Sequence, residues 1–174
     1  AKKQATNRSR SSASGLGQQL SPGKRGTVEE AVNLLQSTTG NAKILAGGTD
    51  LLVQLRAHMV EPDVIIDIKD IEETRTLTKN SDGSYTIGAA VAGAEAGDRD
   101  DITKDWPGVV EGWELIGSTQ IQGRASLGGN LCNASPAGDS VPAMVAAGMT
   151  VNIAGPNGRR TIPVEEVTVG PGRT

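Results

Sequence analysis

Two glycine-rich runs hold the groups in this chain that can do chemistry. The first is Leu45-Ala46-Gly47-Gly48-Thr49-Asp50-Leu51. Its glycines permit positive φ and leave backbone N–H groups uncovered by side chains. Thr49 adds a hydroxyl. A helical pattern begins near Asp50, and a helix start contributes free N–H groups and the positive end of a dipole. Donors of this kind suit a pyrophosphate. The run has neither Gly-x-Gly-x-x-Gly spacing nor the lysine of a P-loop, and it also suits a plain strand-to-helix turn.

The second run is Ile121-Gln122-Gly123-Arg124-Ala125-Ser126-Leu127-Gly128-Gly129-Asn130, continuing through Leu131-Cys132-Asn133-Ala134-Ser135-Pro136-Ala137-Gly138-Asp139. Residues 118–140 show no amphipathic period and read as a long irregular segment. Their hydroxyls and amides can bond a ribose, a ring carbonyl or a diphosphate, and Asp139 can accept from a ribose hydroxyl or a ring N–H. Compact domains rarely keep so long an irregular stretch unless something binds there. A flexible surface loop is the alternative. Leu127, Leu131 and Cys132 oppose it, because such residues tend to be buried.

Other chemistries find no support. One cysteine, Cys132, and one histidine, His58, are present. A single thiol makes no internal disulfide and holds no iron–sulfur cluster or structural zinc, so no metal site is expected. With one histidine outside any loop, no nucleophile–base arrangement can be drawn and no catalytic residue is assigned. His58 reads as a helix-surface residue. Trp106 and Trp113 read as core or interface anchors. Asp67 and Asp70 read as turn formers.

The elements that must position the two runs are visible in the pattern. Thr27, Val28, Glu29 and Glu30 form a Thr-x-x-Glu capping box. Val28, Ala31, Val32 and Leu35 share one helical face, and the helix should end near Thr38-Thr39-Gly40. Lys43 to Ala46 reads as a strand leading into the first run. A second helix should place Leu51, Leu52, Leu55 and Met59 on one side, and Val64 to Ile68 reads as a buried strand. Alternating helices and strands of this kind imply a small parallel sheet. Beyond residue 76 the pattern changes. Leu77 to Lys79 and Ser84 to Gly88 flank the hairpin turn Asn80-Ser81-Asp82-Gly83. Residues 93–105 read as a loop or weak helix. Trp106-Pro107-Gly108 precedes a helix with Val109, Val110, Trp113 and Ile116 inward. Pro142 opens another through Val145 and Ala146. Met149 to Ile153 and Thr161 to Val164 flank the turn Gly155-Pro156-Asn157-Gly158. The fold class is therefore α+β. A parallel βαβ subdomain spans about 21–75, and a mainly antiparallel sheet with helices spans about 76–174.

Composition sets the outer bounds. Apolar residues make up 36% of the 174, with two Trp, one Tyr and no Phe. A core of aliphatics alone has little margin, so support from a cofactor or partner is expected. The first 26 residues carry six basic residues and no acid, and the rest carries 11 basic and 20 acidic residues. Residues 1–20 read as a basic flexible arm. The acidic body lacks aromatic–basic interleaving, which argues against nucleic-acid binding. No run of 18 apolar residues occurs, and no hydrophobic stretch follows the basic start. No transmembrane segment and a cytoplasmic location are expected.

Together the two runs resemble the paired FAD-binding motifs of the molybdopterin-dehydrogenase flavin-subunit family. That family includes the medium subunits of aerobic carbon monoxide dehydrogenases and the flavin domain of xanthine dehydrogenase. Ile87-Gly88-Ala89, Ile116-Gly117-Ser118 and Gly170-Pro171-Gly172-Arg173-Thr174 resemble further family marks. Four positions depart from the pattern: Ala92 stands at a usual threonine, Ser126 replaces another, and Val167 and Val169 stand near usual phenylalanines.

The resemblance implies a two-subdomain FAD-binding fold, with the family's C-terminal domain absent after Thr174. It implies FAD held by Ala46, Gly47, Gly48, Thr49, Asp50 and Leu51 at the diphosphate. Ser126, Gly128, Gly129 and Asn130 lie along the diphosphate and flavin side, and Asp139 fixes the ribityl or diphosphate region. The chain would pass electrons from [2Fe–2S] clusters in a small subunit, through FAD, to an acceptor. Molybdopterin would sit in a large subunit, and a separate chain would supply the missing C-terminal domain. The alternatives are another FAD-dependent oxidoreductase of the same superfamily, or a structural or assembly subunit that has lost the flavin.

Overall fold

The structure, a computed structural model, describes residues 26–174. The basic arm at 1–20 lies outside the described residues. Helix α1 (Val28–Ser37) starts as the capping box requires: Thr27 Oγ1 accepts the Glu30 N–H at 3.1 Å, and Glu30 Oε2 accepts the Thr27 N–H at 3.0 Å. Its apolar face turns Ala31 inward against Ile66 and Ile71, with Val28, Leu34 and Leu35 alongside. Leu34, rather than Val32, completes that face.

Strand β1 (Ala42–Leu45) pairs in parallel with β2 (Val64–Asp67), in the register Ile44 to Ile66. Between them runs α2, which is shorter than its sequence pattern. It spans Leu51–Arg56 and buries no residue. His58 lies past its end at φ +53°, and Met59 is exposed outside it. The apolar spacing out to Met59 is therefore not one helical face. The left-handed residue after Ala57 stops the helix a turn early.

A single turn of 3₁₀ helix (Glu73–Arg75) leads into the second half. Its antiparallel part takes the form of two separate hairpins. The first pairs β3 (Leu77–Lys79) with β4 (Tyr85–Ile87) across a turn closed by Gly83 at φ +86°. The second pairs β5 (Thr150–Gly155) with β6 (Gly158–Pro163) around Pro156-Asn157. Short helices lie between them: α3 (Gly93–Gly97), α4 (Asp100–Asp105), α5 (Pro107–Glu114), α6 (Thr119–Gln122), α7 (Leu127–Asn133) and α8 (Ser140–Ala146). Val109, Val110, Trp113 and Ile116 all point inward, as their spacing predicts, and Trp113 is completely enclosed. Trp106 stays partly exposed.

Residues 118–140 are not the long irregular segment that their composition predicts. They contain α6 and α7 and lead directly into α8. The glycine content is misleading because Gly128 and Gly129 sit inside α7, where packing rather than propensity decides. Ser126 caps that helix, accepting the Gly129 N–H at 3.1 Å.

Two clusters of buried side chains result. One is built on Ala31, Ile66 and Ile71. The larger one is built on Val91, Ile102, Trp113, Leu127, Leu131 and Met144. Among the described residues, no helix is long and apolar enough to cross a membrane.

Candidate functional site

The two glycine runs meet at the C-terminal end of β1. Arg124 Nε donates to the Gly47 carbonyl at 3.2 Å, across a separation of 77 residues. The backbones also touch. A β-carbon on Gly47 would run into the Arg124 carbonyl oxygen and stand 2.8 Å from its carbon. Ala46 Cβ lies 3.9 Å from where a β-carbon of Gly129 would be. Gly47 is thus needed for the approach of protein to protein, and Gly48 for its φ of +79°. A side chain at Gly48 would meet Leu45 Cδ1 at 2.8 Å and Leu52 beyond it.

A third segment completes the junction. Gly128 packs on Ala89, whose Cα, Cβ and carbonyl oxygen would each lie 2.8 Å from an added β-carbon. The Ala125 carbonyl accepts from the Gly93 N–H at 2.9 Å and from Trp113 Nε1 at 3.2 Å. Residues 88–93 are fixed in turn. The Ala90 N–H donates to the Thr74 carbonyl at 2.8 Å, and Arg75 Nη1 donates to the Ala90 carbonyl at 2.8 Å. The buried indole of Trp113 therefore anchors the second run from below, and Ile87-Gly88-Ala89 backs it.

Each sequence-selected residue has a definite place. Thr49 is half-buried and Asp50 is exposed at the start of α2. The first bond of that turn runs from the Leu52 N–H to the Gly48 carbonyl at 3.0 Å. The amides ahead of it have no carbonyl within the helix to bond. Ser126 is only 2% exposed and its hydroxyl is engaged in capping. Asn130 Oδ1 accepts from Ser140 Oγ at 2.8 Å. A β-carbon on Gly138 would lie 3.2 Å from the same Oδ1. Asn130 thus holds Ser140 and lies close to Gly138, the two neighbours of Asp139, whose carboxylate is exposed and makes no capping bond. Cys132 is exposed, yet desolvation by surrounding protein raises its thiol above its ordinary value. The end of α7 is pinned by the Gly172 N–H, which donates to the Ala134 carbonyl at 2.9 Å. The Gly170-to-Thr174 segment therefore reaches the second run as well.

Arg124 is the residue that pattern reasoning quoted without assigning. The signal was present, since it is the one basic residue in either run. Gln122 turns away and donates to the Glu114 carbonyl. A shallow polar hollow at Ser37 to Gly40, Asp63 and Val64 lies at the opposite end of the parallel pair. In open parallel sheets ligands gather at the carboxyl ends of strands, which is where the glycine runs are.

The junction offers backbone amides, a threonine hydroxyl, an asparagine amide and one guanidinium. That donor set matches phosphate and ribose oxygens. No group of three or more His, Cys, Asp or Glu able to hold a metal occurs among the described residues.

Residues 23–174 match the family described as the FAD binding domain in molybdopterin dehydrogenase. The chain is 33% identical over 147 residues to the xanthine dehydrogenase FAD-binding subunit of Escherichia coli O157:H7, covering 84% of this chain and 50% of that protein. It is 31% identical over 144 residues to the carbon monoxide dehydrogenase medium chain of Hydrogenophaga pseudoflava, covering 83% and 50%. Its fold superposes on a solved carbon monoxide dehydrogenase of that organism, one lacking the Mo-pyranopterin moiety of the molybdenum cofactor. The TM-score is 0.80 at 30% identity, over 85% of this chain and 51% of that one. The chain spans about half the length of the curated relatives it matches. The chain therefore belongs to the FAD-binding domains of the molybdopterin dehydrogenases.

Proposed function

We propose that this chain is the flavin-holding, electron-transfer part of a molybdenum/iron–sulfur dehydrogenase. Electrons would arrive from [2Fe–2S] clusters in a small partner subunit and leave from FAD to an acceptor. Substrate chemistry would take place at molybdopterin in a large partner subunit. The site residues are Ala46 to Leu51, Ser126, Gly128, Gly129, Asn130 and Asp139. Residues 21–75 and 76–174 act as two subdomains that present the two runs to one ligand, in a cytoplasmic enzyme. The observation that carries this reading is the meeting of the two runs through Gly47 and Arg124 at the end of a parallel strand.

Bound FAD supplies a centre that takes electrons singly or in pairs. The work of this chain's own residues is binding and orientation. The amides of Gly47 to Leu51 would hold the diphosphate, and the positive φ of Gly48 sets the course of the backbone there. Ser126 fixes the start of α7, the helix that carries Gly128, Gly129 and Asn130. Asn130 holds the loop bearing Asp139.

The test is the flavin content and subunit make-up of the purified complex. One FAD per chain, with the absorbance of oxidised flavin and with molybdenum- and iron–sulfur-containing chains co-purifying, is the expected result. Flavin-free protein, or a flavoprotein with no such partners, would overturn it.

A further inference from the structure

We infer that Arg124 holds the FAD diphosphate through its guanidinium, as the cation that an acidic protein must bring to an anionic ligand. The assignment rests on the flavin reading above and goes beyond its motif residues.

Three observations carry it. The first is position. Arg124 Nε donates to the Gly47 carbonyl at 3.2 Å. That single bond orients the planar group beside the amides of the first run and leaves both Nη nitrogens able to donate. A guanidinium so tethered presents two parallel donors to a phosphate oxygen pair.

The second is that the guanidinium is not neutralised by a carboxylate, as those of several other cations are. Lys69, Arg75, Lys79, Arg99 and Arg159 are each bound to a carboxylate. Among the described residues, no ion pair joins Arg124 to an acid, and the residue is exposed where the two runs meet. Its recorded side-chain bond is to a neutral carbonyl.

The third is charge. Residues 27–174 carry 11 basic and 20 acidic residues, and Asp50 stands exposed at the first run itself. Helix α2 has six residues and offers little dipole to offset this. Backbone donors alone would face a diphosphate against a net repulsive field, which a local cation reverses.

The experiment uses the purified complex stripped of flavin, with Arg124→Gln and Arg124→Lys. FAD and riboflavin are titrated at low and high salt. Riboflavin carries the ring without phosphates. In Arg124→Gln, FAD affinity should fall by roughly tenfold or more, the scale of one charge-assisted bond. Its salt dependence should flatten, while riboflavin binding stays unchanged. Arg124→Lys should lie between, since it keeps a charge and loses the fork. Should Arg124→Gln fail to fold, Arg124→Lys decides: weaker FAD binding with unchanged riboflavin binding supports the assignment. Unchanged FAD binding in the folded variants overturns it. So does a parallel loss of FAD and riboflavin with an unaltered salt response, which marks Arg124 as a strut. A wild-type complex that takes up no FAD overturns the flavin reading itself, and this assignment with it.

Discussion

An alanine at Gly47 would drive its β-carbon into the Arg124 carbonyl oxygen, an atom of backbone that cannot step aside alone. At Gly48 the obstacle is different. The residue sits at φ +79°, and the nearest atom to an added β-carbon is the flexible tip of Leu45 at 2.8 Å. A left-handed conformation costs an L-residue about 1–2 kcal/mol. Forcing two backbones apart costs about 1–3 kcal/mol and moves whatever they jointly hold. Gly47→Ala should therefore lose both stability and flavin. Gly48→Ala should lose a similar or smaller amount of stability and keep more of the flavin. Urea midpoints and FAD per chain measure the two quantities, and a Gly47→Ala protein with an unshifted midpoint and full flavin would show that the runs do not depend on this contact. The positive φ at Gly48 was legible in the glycine pair before a threonine and a helix. The partner of Gly47 was not, because it comes from 77 residues away.

At the scale of elements, a side-chain cap supports α7 and is missing from α3. Helix α7 contains Gly128 and Gly129, each costing about 1 kcal/mol against alanine, yet it starts on a buried serine that accepts a backbone N–H. Helix α3 begins at Ala92, whose backbone is extended in the manner of a cap (φ −81°, ψ 148°) but which makes no capping bond. Two opposite outcomes are expected. Ser126→Ala should cost about 1–2 kcal/mol and lower flavin affinity by loosening α7. Ala92→Ser should gain about 0.5–1 kcal/mol by supplying an acceptor for the first amides of α3. Thermal unfolding of both variants is the measurement; a destabilised Ala92→Ser protein would mean that the buried hydroxyl finds no donor. These helices also mark where pattern reading stopped. The Thr27 capping box and the 107–116 face follow from local spacing and were legible. Helix α7 was not, because Gly128 stands where Ala89 approaches, and nothing within residues 118–140 announces that.

At the scale of the molecule, one ion cluster ties the two packed halves together. Arg159, at the start of β6, reaches back to Glu29 on α1 at 2.6 Å and to Glu73 on the connecting turn at 2.9 Å. The change from parallel pairing to hairpins near residue 76 was visible in the sequence. This clasp was not, because its members lie 86 and 130 residues apart and no local period links them. Its pH dependence follows from charge. The hydrogen bonds from Arg159 hold both glutamates below their ordinary value of 4.5, and the same bonds raise the arginine. A carboxylate with a depressed folded pKa contributes its full stability above the unfolded value and loses it as the pH falls through the folded one. The clasp should therefore be intact at neutral pH and fail as the pH drops from about 4.5. All three side chains are substantially exposed, so the effect should be modest and should shrink with added salt. Other carboxylates titrate in the same range, among them Asp101, which Arg99 lowers to about 2. Comparison with Arg159→Gln removes them, since they are common to both proteins. Urea midpoints measured from pH 7 down to about 3 should show wild type ahead of the variant at neutral pH. The two curves should then converge as the glutamates take up protons. A constant gap at every pH would mean that Arg159 acts through the packing of its stem and not through its charge.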